Sequence, residues 1–298
     1  MDPVRWTRRP TLRRPVLVAA FEGWNDAGDA STTAVRWLAD RFDARPFATI
    51  DSEEFFDFTS TRPRVEIIDG ASRQIVWPET QLSAAAIAAT GHDLVLLTGT
   101  EPQLRWPTFC RHIVEVAEAL DVEMVITLGA LLAEVPHSRP TSVIGTAYDA
   151  AVVDALGLRR STYEGPTGIV GVLHDAFQQA GIASASLWAA VPTYVPGAPS
   201  PKAALALVER TATLVGLPVI TTDLEIATAS YERQISELVA SDDDTAAYVA
   251  RLEADADSGS DDDDDDDVLD DELGELSEDG AGELVEELEQ YLRDHRQD

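Results

Sequence analysis

The chain has 298 residues, 45% of them hydrophobic, and a formal net charge of -32. That apolar fraction supports a substantial core, and the single cysteine, Cys110, excludes an internal disulfide framework and a cysteine-cluster metal site. The charge is concentrated: residues 241–298 hold 25 acidic and 3 basic side chains, so the first 240 form a mildly acidic body, which disfavours nucleic acid binding.

Residues 1–14 read as a solvated basic arm carrying Arg5, Arg8, Arg9, Arg13 and Arg14, with a small anion site or a contact to the acidic tail as alternatives. No signal peptide is visible, because this Arg-rich start precedes only the short apolar run Val16–Phe21. No segment is long enough to span a bilayer, so the expected location is the cytoplasm, with no membrane partner. Residues 15–220 read as one α/β domain built on a mostly parallel sheet. Its clearest strands are Val16–Phe21, Leu94–Thr98, Met124–Leu128 and Leu187–Val191, with helices near 30–42, 107–120, 168–180 and 201–215 between and after them. Val65–Ile68 and Gln74–Trp77 flank Asp69-Gly70 as a hairpin with a turn longer than two residues.

After Pro218 the period becomes helical. Thr222-x-x-Glu225 and Ser241-x-x-Asp244 each look like a helix start, so residues 221–254 are expected to form a helical hairpin packed on the sheet domain. From 255 to 298 the chain is acidic and low in complexity, with seven consecutive aspartates at 261–267, and is expected to be disordered. Within it, Leu284, Val285, Leu288, Tyr291 and Leu292 share one face of a short amphipathic helix at 283–296, one that needs a contact to be stable.

In an open α/β sheet ligands gather beyond the carboxyl ends of the strands, which points to four loops. Phe21–Ser31 offers Glu22, Trp24, Asn25, Asp26 and Asp29, as binding groups or as helix caps, but lacks any Gly-rich phosphate motif. Thr98–Pro102 contributes Glu101, and Gly129–Pro140 contributes Glu134, His137 and Arg139. Tyr163–Gly168 contributes Glu164 and Thr167 and opens a helix with free amides. No catalytic spacing joins these groups, Ser138 has no nucleophile elbow, and His92, His112 and His174 lack metal-ligand spacing. The site residues are therefore read as ligand- or partner-binding, with no catalytic residue, metal or cofactor assigned.

Taken in order, FEGWNDAGDAS (21–31), GALLAEVPHSRP (129–140), YEGPTGI (163–169), SLWAAVPTYV (186–195), PSPKAAL (199–205) and YERQISELV (231–239) resemble the proteasome assembly chaperone 2 family, in its actinobacterial branch. The resemblance implies a three-layer α/β/α fold similar to nucleoside phosphorylases, a homo-oligomer with a trimer as first expectation, and, as in some relatives, a role with proteasome subunits. The chain departs from the family twice. It ends His295-Arg296-Gln297-Asp298, with Tyr291 well short of the terminus rather than in a hydrophobic-tyrosine-any-residue tail, and it has Pro192-Thr193-Tyr194 where many relatives are expected to carry Pro-His-Tyr.

Three readings follow. The first is a non-enzymatic, chaperone-like homo-oligomer that binds another protein. The alternative is a small-ligand-binding protein or an enzyme of the nucleoside phosphorylase or hydrolase type, using the strand-end loops. Such an enzyme needs a cationic phosphate site, for which Arg139 and Lys202 beside His137 are the candidates; an acidic or plugged pocket there argues against it. A third reading makes the acidic tail itself the recruiting element.

Overall fold

The computed structural model describes residues 3–69 and 72–258. Its strands are β1 (Val4–Trp6), β2 (Val16–Glu22), β3 (Arg45–Ile50), β4 (Arg64–Ile68), β5 (Ser72–Val76), β6 (Thr80–Ala85), β7 (Leu94–Thr100), β8 (Met124–Ala133), β9 (Val143–Ala147), β10 (Arg159–Arg160) and β11 (Ala183–Pro192). Its helices are α1 (Ala30–Arg41), α2 (Trp106–Ala119), α3 (Ala150–Leu156), α4 (Ile169–Gln179), α5 (Pro201–Val215), α6 (Thr222–Val239) and α7 (Asp243–Ser258). Nine strands form one sheet in the order β1-β3-β6-β7-β2-β8-β11-β9-β10, while β4 and β5 pair as a separate ribbon. The four strands expected from the apolar runs, β7-β2-β8-β11, are the parallel centre. Beyond β7 the neighbours run antiparallel, and β9 is antiparallel to β11.

Strand β2 shows why the centre needs cover on both faces. Leu17, Ala19 and Phe21 pack with Phe109 and Ile113 of α2 and with Leu173 and Phe177 of α4. Val16, Val18 and Ala20 pack with Ala34 and Leu38 of α1 and with Leu207 and Val208 of α5. Alternating side chains thus enter opposite layers, and each fully buried Leu or Phe contributes about 1.5–3 kcal/mol. The result is the expected three-layer α/β/α arrangement, with a long β8 whose apolar run continues through Gly129 to Ala133.

Several local features differ from expectation. The basic arm contains β1, an edge strand on β3, and its arginines disperse rather than cluster: Arg5 pairs with Asp51, Arg13 with Asp93 and Arg14 with Glu123. The N-cap of α6 is Thr221 rather than Thr222, and its Oγ1 donates to Glu225 Oε1 at 2.9 Å instead of capping a backbone amide. For α7 the cap is Asp242, whose carboxylate accepts from the Thr245 amide at 2.7 Å. Strands β1, β3, β6, β9 and β10 escape periodicity because most are short or lie at sheet edges, where neighbours decide pairing. Residues 255–258 of the tail expected to be disordered form the end of α7, and the rest of it, with the helix expected at 283–296, lies outside the described residues.

Candidate functional site

The site residues fall into two groups, and the β2–α1 loop supplies Trp24 and Asn25 to the second. That loop is held in place by a backbone bond from Ala130 to the Asn25 carbonyl at 2.9 Å. It needs a left-handed residue at Gly28 (φ 58°), where a Cβ would lie 3.0 Å from the Ser200 Cβ and 3.2 Å from the Ala198 carbonyl oxygen. Asp26 is buried in it and serves α1: it accepts from the Ser31 amide at 2.7 Å, the Ser31 hydroxyl at 2.6 Å, the Thr32 amide at 3.2 Å and the Thr32 hydroxyl. Burial pushes its carboxyl above the ordinary value, against the opposing pull of those donors. Asp29 is exposed beside it, and Glu22 pairs with Arg36 and accepts from Thr100 Oγ1 at 3.0 Å.

The first group lies where α5, α6 and α7 cover the segment after β8. The Tyr194 hydroxyl accepts from the His137 amide at 2.7 Å and lies 2.8 Å from Nδ1. His137 Nε2 is 3.0 Å from Ser236 Oγ, which donates to the Glu232 carbonyl at 2.8 Å. Because the serine hydrogen is used, Nε2 carries the imidazole proton and Nδ1 accepts from Tyr194, a complete set of bonds for a neutral histidine. Burial and then the Lys202 charge hold its pKa below the usual value. Lys202 Nζ donates to the His137 carbonyl at 2.6 Å and pairs with Glu232 at 2.5 Å. Arg139 forms a two-pronged pair with Asp257 at 2.7 and 2.8 Å, and Ser138 donates to Glu253. Both candidate phosphate-binding cations are thus engaged by carboxylates of α6 and α7.

The second group surrounds a cleft of about 860 Å3, its open mouth included, over β8, β11 and β9 beside α4. Glu101 reaches across to α4 and accepts from the Ile169 amide at 2.8 Å and from Asn25 Nδ2 at 3.4 Å. It therefore satisfies the first turn of α4 from a distant loop, and burial raises its pKa. Trp24, Asn25 and Thr167 line the cleft, whereas Glu164 is exposed on the neighbouring loop and is not among the lining residues.

Under the cleft lies a residue that sequence spacing passed over. His174 of α4 is buried, with Nε2 2.7 Å from Thr127 Oγ1 and Nδ1 2.9 Å from Ser184 Oγ, and Thr127 donates onward to Ser186 Oγ at 2.9 Å. Burial lowers its pKa to about 4, so it is neutral at physiological pH. The available signal was its position on the apolar face of α4, between Leu173 and Phe177, where a polar side chain needs partners.

With this geometry in hand, the comparisons are specific. The model of the PAC2 family matches residues 20–239. The chain belongs to the PAC2 family. Among solved structures it is 44% identical to the proteasome-assembly chaperone homologue of Mycobacterium tuberculosis, covering 78% of this chain and 99% of that one with a TM-score of 0.72. It is 43% identical to a PAC2 family protein of Streptomyces avermitilis, over 79% and 99% of the two chains with a TM-score of 0.74. An archaeal proteasome activator of Pyrococcus furiosus shares the fold at 16% identity, over 80% and 99% of the two chains with a TM-score of 0.65. No curated protein sequence matches the chain. No helix among the described residues is long and apolar enough to cross a membrane.

Proposed function

We propose that the protein is a non-enzymatic, cytoplasmic, chaperone-like homo-oligomer that binds proteasome subunits. PAC2 membership and the M. tuberculosis relative, a proteasome-assembly chaperone homologue, support a chaperone-like role. The observation that carries the reading against a phosphorylase-type enzyme is the pairing of Lys202 with Glu232 and of Arg139 with Asp257. An incoming phosphate would have to displace those carboxylates and meet the negative field of Glu253 as well. A protein-binding role also accounts for the β4–β5 ribbon, whose alternation sets exposed Val65, Ile67 and Ile75 on one face.

The test mixes purified protein with separately purified proteasome α and β subunits from the same cell and follows particle formation on native gels. The expected result is co-migration with a subunit and a changed rate of particle formation, both weakened by Ile67→Glu. A protein that neither co-migrates nor changes the rate refutes the reading. Light scattering on the full chain checks the oligomer, with three copies expected.

A further inference from the structure

The cleft beside α4 has an aromatic and uncharged lining. Its walls carry four aromatic rings: Trp24 from the β2–α1 loop, Trp188 from β11, Tyr148 after β9, and Tyr163 from the loop before α4. None of its lining residues is charged. Two polar side chains at its base are almost wholly buried yet incompletely used. Asn25 is 3% exposed and spends one N–H on Glu101 at 3.4 Å, which leaves its carbonyl oxygen without a partner among the described residues. Ser186 is 4% exposed and accepts from Thr127, so its own hydrogen is left to point elsewhere. Both side chains line the cleft, where water meets them in the free protein, and a ligand with matching ring-edge atoms replaces that water.

We infer that this cleft is a binding site for a small, uncharged, planar heteroaromatic molecule, with the ring between the aromatic walls and ring-edge donor and acceptor atoms on Asn25 and Ser186. Each feature of the ligand follows from the lining. Flat π faces stack favourably on Trp and Tyr, which selects a ring. The unmet amide oxygen and hydroxyl select polar atoms at the ring edge, which a purely hydrocarbon side chain of a partner protein would not supply. The absence of lining cations selects against a carboxylate or phosphate, since nothing in the cleft would repay the desolvation of the charge. The floor is compatible with a neutral guest, because His174 is fully bonded to Thr127 and Ser184 beneath it. This site is separate from the ion-paired group around His137 and is independent of the chaperone reading.

The experiment uses the full chain and four probes: indole and 9-methyladenine as neutral rings, and indole-3-acetate and adenosine 5′-monophosphate as anionic relatives. Saturation-transfer NMR reads binding, and chemical-shift titration gives the dissociation constants. At least one neutral ring is expected to bind at about 0.1–1 mM, as suits a fragment of that size. The anions are expected to bind no more tightly. Ser161→Trp fills the cleft from its rim and is expected to weaken binding at least tenfold. Trp24→Ala, at a position 53% exposed and therefore safe for folding, is expected to weaken it at least fivefold. Absence of saturation transfer from both neutral rings overturns the inference. So do anions binding tenfold more tightly than the neutral rings, or unchanged binding in both variants with folding verified by circular dichroism.

Discussion

Asp26→Ala distinguishes a loop built to hold α1 from a loop built to bind a partner. The carboxylate is 5% exposed and accepts two amides and two hydroxyls from Ser31 and Thr32, so its removal strips the cap from α1 and leaves two buried amides unpaired. Losing a cap costs about 1 kcal/mol, and the unpaired amides add about 2 kcal/mol after partial relaxation, for a total near 3 kcal/mol. Over a folded unit of this size that corresponds to a drop in Tm of roughly 6–12 °C. Asp26→Asn keeps one acceptor oxygen and should lose about half as much, while Asp29→Ala, exposed beside it, should stay within about 0.5 kcal/mol. Urea unfolding followed by far-UV circular dichroism measures all three. Since burial raises the Asp26 pKa, the folded state holds that proton to higher pH than the unfolded chain. Its contribution to stability therefore declines as pH rises from the unfolded value through the folded one, and Asp26→Asn removes that slope. Wild-type stability in Asp26→Ala together with lost subunit binding would refute the capping argument.

His174 has the opposite slope. Its pKa of about 4 against an ordinary 6.5 means the unfolded chain takes up the proton first, so stability should fall by about 3 kcal/mol as pH drops across that interval. Urea midpoints measured in 0.5-unit steps of pH should show the decline, and His174→Gln should remove its share of it. Arg139→Ala should leave global stability unchanged, because its pair with Asp257 is solvent-exposed, but should speed amide hydrogen exchange in the last turn of α7, read by mass spectrometry. Gly129→Ala would place a Cβ 2.5 Å from Cε3 of Trp188, forcing the indole to move; a loss of about 1–3 kcal/mol and altered tryptophan emission are expected.

The parallel centre of the sheet was legible in the amino-acid pattern, because continuous apolar runs such as Val16–Phe21 suit strands buried on both faces. That pattern also determined the main helices, through their periodic apolar stripes, and located Trp24, Asn25 and Thr167 on the loops that line the cleft. Tertiary structure decided the rest. Edge strands such as β1 take their conformation from a neighbour 40 or more residues away, as Val4 does from Ile50, and no local period encodes that. Arg139, Lys202 and His137 look like an anion site in one dimension. They become a closed network only when α6 and α7 bring Glu232, Ser236 and Asp257 against them. Likewise His174 gains its partners from β8 and β11, across 47 residues to Thr127 and 10 to Ser184. Periodicity reports which face of an element is buried; which charges and hydrogen-bonding groups meet there is fixed by chain segments distant in sequence, and that is where the geometry of both groups of residues was decided.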